Sequence, residues 1–264
     1  MYLKLPVAQT PPRMLYAIRH PNQEKVMKKT IVIGASSGIG KELAILLAKK
    51  GYQVGLMARR IELLQALQQE IPTKTYIGYL DISQSSDAIS RLQNMIQEMG
   101  NVDLVVIGSG TGFWNPELDW LKEKQALDVN VYGFCALAVF AFHYFSKQGH
   151  GHLVGISSIA ALRGSDTGPA YHASKAFMSN YLEGLRKKAF KEGSQIIVTD
   201  IKPGFVDTDL VKGRKKFWVA SPTKAAEQIY SAIQYKKSHA YITHRWRLIA
   251  WILKFMPTWL YNRV

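Results

Sequence analysis

Cysteine is almost absent from this chain. Cys135 is the single one among 264 residues, so an internal disulfide is excluded and no thiolate cluster can hold a metal. Apolar runs are short, and none reaches the ~18 uninterrupted residues of a membrane-spanning helix. Residues 1–24 lack the apolar core of a secretory signal, and a cytoplasmic protein is expected. Acid is scarce as well, with Asp+Glu 19 against Lys+Arg 34 and a net charge of +15. The excess gathers in Arg186-Lys187-Lys188 with Lys191, in Lys212 with Arg214-Lys215-Lys216, and in Arg245, Arg247, Lys254 and Arg263. Nucleic acid or an anionic membrane would suit such charge. No nucleic-acid-binding motif accompanies it, so solvated helix faces and attraction of an anionic cofactor account for it better.

What is present is an ordinary globular composition, 47% hydrophobic and 20% charged, on a chain long enough for one large domain. Residues 1–26 contain Pro6, Pro11, Pro12 and Pro21 and show no periodicity. They read as a loose extension, or as sequence upstream of a native start at Met27. From there to residue 243, apolar strands alternate with amphipathic helices. Strands are expected near Thr30–Ile33, Gln53–Ala58, Thr75–Leu80, Leu104–Ile107, His152–Ile156, Gln195–Ile201 and Ala240–Thr243. Helices are expected at Ile39–Lys50, Ile61–Glu70, Ser86–Glu98, Pro116–Lys147, Ala170–Lys191 and Pro222–Lys236. The alternation implies an α/β fold: one doubly wound, Rossmann-type domain with about seven parallel strands and helices on both faces. His150 and His152 share a strand face but find no third ligand, so no metal site is expected.

The first strand runs into Gly34-Ala35-Ser36-Ser37-Gly38-Ile39-Gly40 and then a helix. Glycines allow backbone to approach a pyrophosphate, and the helix start supplies free N–H groups for it. The second strand ends Met57-Ala58-Arg59-Arg60, with no acid where a ribose 2′-hydroxyl would need one. Arginine there suits a 2′-phosphate, so NADP(H) is the expected cofactor, with Arg59 as main contact and Arg60 as second.

A second constellation is Ser158, Tyr171 and Lys175. Tyr171 and Lys175 are four apart and share one helix face, while Ser158 follows the strand-like Leu153-Val154-Gly155-Ile156. A phenol titrates near ~10 in water, and a neighbouring ammonium lowers that value. Such a tyrosine can exchange a proton near neutral pH.

These segments, with Asp81-Ile82, Val129-Asn130, Ser157-Ser158 and Pro203-Gly204-Phe205-Val206-Asp207-Thr208, follow a known order and spacing. From about residue 28 to 242 the chain resembles the short-chain dehydrogenase/reductase family. The resemblance implies an NADP(H)-dependent oxidoreductase that moves a hydride between the nicotinamide and a carbonyl/alcohol substrate. It implies Tyr171 as acid/base, Ser158 holding the substrate oxygen, and Lys175 binding the nicotinamide ribose while tuning the tyrosine. Asn130 would disturb its helix and hold a water leading to solvent. Gly34, Ser36, Ser37, Gly38, Ile39, Gly40, Asp81, Ile82, Gly108, Pro203, Gly204, Val206 and Thr208 would complete the cofactor site, Asp81 at the adenine amino group. A homodimer or homotetramer through the two long helices is implied as well. A nucleotide-binding regulator without turnover is the rival reading.

Two positions depart from the family pattern. A threonine before the first glycine and an asparagine after the fourth strand, which pair in the family, are here Ile33 and Ile107. Replacing both partners of a buried hydrogen bond by apolar groups can be nearly neutral, so the two isoleucines are expected to pack together. The substrate side is expected from Thr111–Trp114, Ala160–Gly164 and Phe205–Trp218, offering Phe113, Trp114, Leu162, Phe205, Leu210, Phe217 and Trp218. These side chains favour an apolar substrate, and Arg163 is expected either to meet an acidic group or to stay solvated. Residues 244–264 form an apolar and basic segment, helical from Trp246 to Met256. It is expected to pack on the domain or on a subunit, with contact at a membrane surface as the alternative, making a lipid-binding module.

Overall fold

The computed structural model describes residues 28–208 and 217–263. The extension at 1–26, Leu210 and the cluster Lys212, Arg214, Lys215 and Lys216 lie outside the described residues. Seven strands, β1 (Lys29–Ile33), β2 (Gln53–Ala58), β3 (Thr75–Tyr79), β4 (Leu104–Ile107), β5 (His150–Ile156), β6 (Gln195–Pro203) and β7 (His239–Ile242), form one sheet in the order β3-β2-β1-β4-β5-β6-β7. Every pairing is parallel. Successive side chains of a strand face opposite sides, and β1 shows the result. Ile31 and Ile33 enter one core with Ile107, Phe134 and Met178, while Val32 enters the other with Leu43, Leu56 and Ile229. A sheet buried on both faces reads as an unbroken apolar run.

The first core is covered by α3 (Ser85–Met99), by a long central helix and by α6 (Pro169–Lys191). The second is covered by α1 (Gly38–Lys49), α2 (Ile61–Glu70) and α7 (Pro222–Gln234). The central helix departs from expectation at its start. It begins at Trp120, not Pro116, because Asn115 and Asp119 build a cap: Asn115 Oδ1 accepts from Asp119 N at 2.9 Å, and Asp119 Oδ1 accepts from Leu121 N at 2.9 Å. The helix continues as α4 (Trp120–Leu127), a π-helical stretch (Asp128–Gly133) and α5 (Phe134–Gln148). Those 29 residues contain a window of mean hydropathy 1.5, long and apolar enough to cross a membrane by length and composition. Uninterrupted runs miss this, because scattered polar residues break them. Half of that window is buried inside the domain, where Phe134, Phe142 and Phe145 fill the core.

Ile33 and Ile107 are register partners on β1 and β4, both fully buried in the same core. The chain ends in α8 (Trp246–Phe255) and α9 (Thr258–Tyr261), separated by Met256 and Pro257.

Candidate active site

β1 lies between β2 and β4, so the chain leaves β1 toward one side and returns from β3 to the other. In such sheets a crevice opens at the carboxyl ends of the strands where the order reverses. Here a cleft of about 540 Å³ opens at that point. At one end it is lined by Ser36, Arg59, Arg60 and Asp81, and at the other by Ser158, Tyr171 and Lys175.

The turn after β1 is built by close approach. Gly34 has φ +91, and a Cβ on Gly40 would stand 2.1 Å from Gly34 O. Only glycine lets the first turn of α1 press on that carbonyl. Ser37 stands at the N-cap of α1 with no side-chain bond to the N–H groups of the helix, and the first turn holds no acid. The N–H groups of that turn and the positive end of the helix therefore suit an anion. Gly38 comes close to Thr208, since a Cβ there would meet the Thr208 methyl at 2.9 Å. The Pro203–Thr208 segment thus closes over the loop.

At the β2 end both arginines border the cleft. Arg60 Nη2 donates to Ser36 Oγ at 2.9 Å and Ser37 Oγ at 2.7 Å, while Arg59 lines the same end of the cleft. Asp81 Oδ1 accepts from Ser83 N and Ser83 Oγ, which fixes the carboxylate, and Leu80 and Ile82 line the cleft beside it.

Asn130 occupies the π-helical turn and is fully buried. Its Oδ1 accepts from Thr111 N at 3.0 Å, and its Nδ2 donates to Thr111 O at 2.7 Å and Ser174 Oγ at 2.9 Å. The amide therefore ties the loop after β4 to α6. A Cβ on Gly110 would lie 3.1 Å from Lys175 Nζ and 3.3 Å from Asn130 Oδ1, so that loop runs between the two side chains.

Lys175 is 4% exposed. Its Nζ donates to Ile156 O at 3.0 Å, at the end of β5, and stands 5.9 Å from the centre of the Tyr171 ring. Burial pulls its pKa down to about 8, and the charge of Asp200 works in the opposite direction. Ser158 Oγ accepts from Ala160 N at 3.1 Å and lies 3.4 Å from Pro203 O. Tyr171 packs edge-on against His172, whose Nδ1 donates to Arg163 O at 2.7 Å. Ser158, Tyr171, Lys175 and Asn130 are thus brought together from three places in the fold: the end of β5, α6 and the π-helical turn.

Sequence reasoning missed Asp200. It is 2% exposed, accepts from Ser157 Oγ at 2.5 Å, and pairs with Lys202, itself buried. The signal was an acid inside Ile196-Ile197-Val198-Thr199-Asp200-Ile201, since a buried acid needs partners. Arg163 departs from both expectations for it. It donates to Met256 O and lies 4.8 Å over the Tyr261 ring. Phe205, Phe217 and Trp218 gather on Trp246 of α8, and Trp114 is 60% exposed. His152, 8% exposed, pairs with Thr199 Oγ1 at 2.8 Å.

Known proteins give this geometry a context. The family model for short chain dehydrogenases matches residues 28–217. An uncharacterized oxidoreductase of Myxococcus xanthus is 36% identical over 192 residues, 71% of this chain and 75% of the relative. Another, from Listeria monocytogenes, is 32% identical over 191 residues, 70% of this chain and 77% of the relative. The fold superposes on an alcohol dehydrogenase of Thermococcus sibiricus solved with 5-hydroxy-NADP, with a TM-score of 0.73, 22% identity, and 82% of this chain and 96% of that one covered. A 3-ketoacyl-(acyl-carrier-protein) reductase of Brucella melitensis solved with NADH gives a TM-score of 0.72 at 22% identity, over 81% and 96%. With a family model spanning β1 to β6, the glycine turn and the Tyr171–Lys175 helix, this chain belongs to the short-chain dehydrogenase/reductase family of oxidoreductases, which bind a nicotinamide cofactor.

Proposed function

We propose that the protein is an NADP(H)-dependent oxidoreductase acting on an apolar carbonyl/alcohol pair. The observation that carries this reading is the buried Lys175 beside Tyr171, with Ser158 lining the same cleft. A buried ammonium is costly and is kept where its charge has work to do. The bound nicotinamide supplies or takes the hydride. Ser158 Oγ donates a hydrogen bond to the substrate oxygen and stabilises the charge that develops there. Tyr171 gives that oxygen a proton in reduction and takes one back in oxidation. The Lys175 ammonium would stabilise negative charge on its neighbour and would hold the nicotinamide ribose. Asn130 holds the Gly110–Thr111 backbone that separates it from Lys175.

At the far end, Arg60 and Arg59 with Ser36 and Ser37 form a cationic, hydroxyl-rich corner that fits a 2′-phosphate. The N–H groups of α1 fit the pyrophosphate. Exposed Tyr132, Phe177 and Phe190 on the central helix and α6 support assembly of a homodimer or homotetramer there.

The test is NADPH oxidation against a panel of apolar aldehydes and ketones. Tyr171→Phe should lower kcat by at least about 100-fold, and Arg60→Ala should narrow the preference for NADPH over NADH. Turnover untouched by Tyr171→Phe refutes the mechanism. Tight NADPH binding without turnover on any carbonyl favours a regulator.

A further inference from the structure

The proposed reaction uses nothing of α8 and α9, yet their arrangement is specific. α8 meets the domain along one stripe, with Trp246 and Ala250 buried and Ile249 and Leu253 half-buried. The opposite stripe carries Leu248, Trp251, Ile252 and Phe255, at the i, i+3, i+4, i+7 spacing of one helix face. Trp259 and Leu260 extend the patch into α9. Trp251, Phe255 and Trp259 are 65%, 64% and 64% exposed. Contiguous apolar surface of this kind marks an interaction site.

Charge identifies the partner. At about 100° per residue, Arg247 and Lys254 project together, roughly 90–110° from the middle of the apolar stripe. Arg245 and Arg263 bracket the segment, and no Asp or Glu follows Glu227 anywhere in the chain. Arg247 also lines, with Lys237, His239 and His244, a hollow of about 380 Å³ beside the helix. Aromatic rings on an apolar face with cations of one sign along its flank match an anionic bilayer interface. The indoles sit at headgroup depth and the basic side chains reach back to phosphate.

The segment is also fastened to the cleft. Arg163 Nη2 donates to Met256 O, and Tyr261 Oη donates to Gly164 O at 2.5 Å, which ties α8–α9 to the loop after Ser158. At the other end a Cβ on Gly204 would stand 2.0 Å from the Trp246 indole, and Gly204 lines the cleft. We propose that α8–α9 is an interfacial anchor for anionic bilayers that holds the Ser158 end of the cleft at the lipid surface. Delivery of an apolar substrate from that surface rests on the reading of the cleft given above; the docking does not.

The test is co-sedimentation of the full chain with phosphatidylcholine vesicles, with and without phosphatidylglycerol, at low and high salt. Wild type should bind the anionic vesicles at low salt with a blue shift of tryptophan emission. Trp251→Ser/Phe255→Ser/Trp259→Ser should reduce partitioning at least about tenfold, with an unchanged thermal unfolding midpoint to show that the variant is folded. Arg247→Gln/Lys254→Gln should weaken binding to anionic vesicles only. A wild type that ignores anionic vesicles at low salt overturns the proposal. So does a triple variant that falls to a smaller oligomer without lipid, because a second copy then covers the face.

Discussion

Replacing Lys175 by methionine should erase a pH dependence of folding that the wild type carries in alkaline solution. The ammonium is 4% exposed, and burial lowers its pKa from 10.5 to about 8. Below about pH 8 both the folded and the unfolded chain hold the proton, and the folded state bears the full cost of burying the charge. Between 8 and 10.5 the unfolded chain keeps the proton while the folded chain has lost it. Stability therefore rises with pH there, by about 1.4 kcal/mol per unit and about 3 kcal/mol across the window. Lys175→Met keeps much of the side-chain volume but leaves Ile156 O without its donor, a loss of about 1–3 kcal/mol. Near pH 7 the relieved charge and the lost hydrogen bond roughly cancel. Near pH 10.5 only the loss remains, and wild type is the more stable. Urea unfolding of cofactor-free protein, followed by circular dichroism from about pH 7.5 to 10.5, measures both curves. Other titrating groups contribute equally to the two proteins and drop out of the difference. Parallel curves would refute the assignment of Lys175 as a costly buried charge. The variant is thus expected to be about as stable as wild type at neutral pH yet to lose hydride transfer.

His152 gives the acid counterpart. Burial, with Lys236 and Lys28 adding to it, lowers its pKa to about 4. Stability is thus complete above about 6.5 and falls by about 1.4 kcal/mol per unit toward 4 as the unfolded chain takes the proton first; His152→Gln should flatten that limb in acid unfolding curves. Asn130→Ala leaves both Thr111 N–H and Thr111 O unpaired, at about 1–3 kcal/mol each, and a loss under about 1 kcal/mol in urea unfolding would contradict the network. Ile33→Thr or Ile107→Asn alone should each cost about 1–3 kcal/mol, and the double variant clearly less than their sum, because it restores a hydrogen-bonding pair. Strict additivity in that double-mutant cycle would show that the two positions do not meet.

The sheet was legible because it is buried on both faces, so each strand announces itself as an apolar run between turn residues. The cleft was legible through Gly34–Gly40, Ser158, Tyr171 and Lys175, where backbone approach or helix spacing demands a residue type. What escaped depends on side chains finding distant partners. The start of α4 is set by Asn115 and Asp119 four residues apart in a loop, and Pro116 gives the stronger local signal. Arg60 reaches Ser36 and Ser37 across 24 and 23 positions of sequence. Asp200 meets Ser157 across 43 positions of sequence. The outer face of α8 is apolar like its inner one, so periodicity alone does not tell which side meets the domain.

The polar groups of the cleft share one feature that explains how it tolerates isoleucine at positions 33 and 107. Lys175 bonds the carbonyl of Ile156, Ser158 lies on that of Pro203, and Asn130 grips both backbone groups of Thr111. Apart from Ser174 Oγ, which also accepts from Asn130, these partners are main chain at or beyond strand ends, and no substitution removes a main-chain carbonyl. What fixes those carbonyls is the parallel register, Ile156 against Ile201 and Ile107 against Gly155. A Thr–Asn bond between β1 and β4 would add to that register. Two fully buried isoleucines in register can replace it, because packing holds the same strands at the same spacing. The site therefore depends on strand alignment more than on any one polar pair in the sheet. Substitutions that shift the ends of β5 or β6 should harm it more than polar-to-apolar exchanges that leave the ends in place.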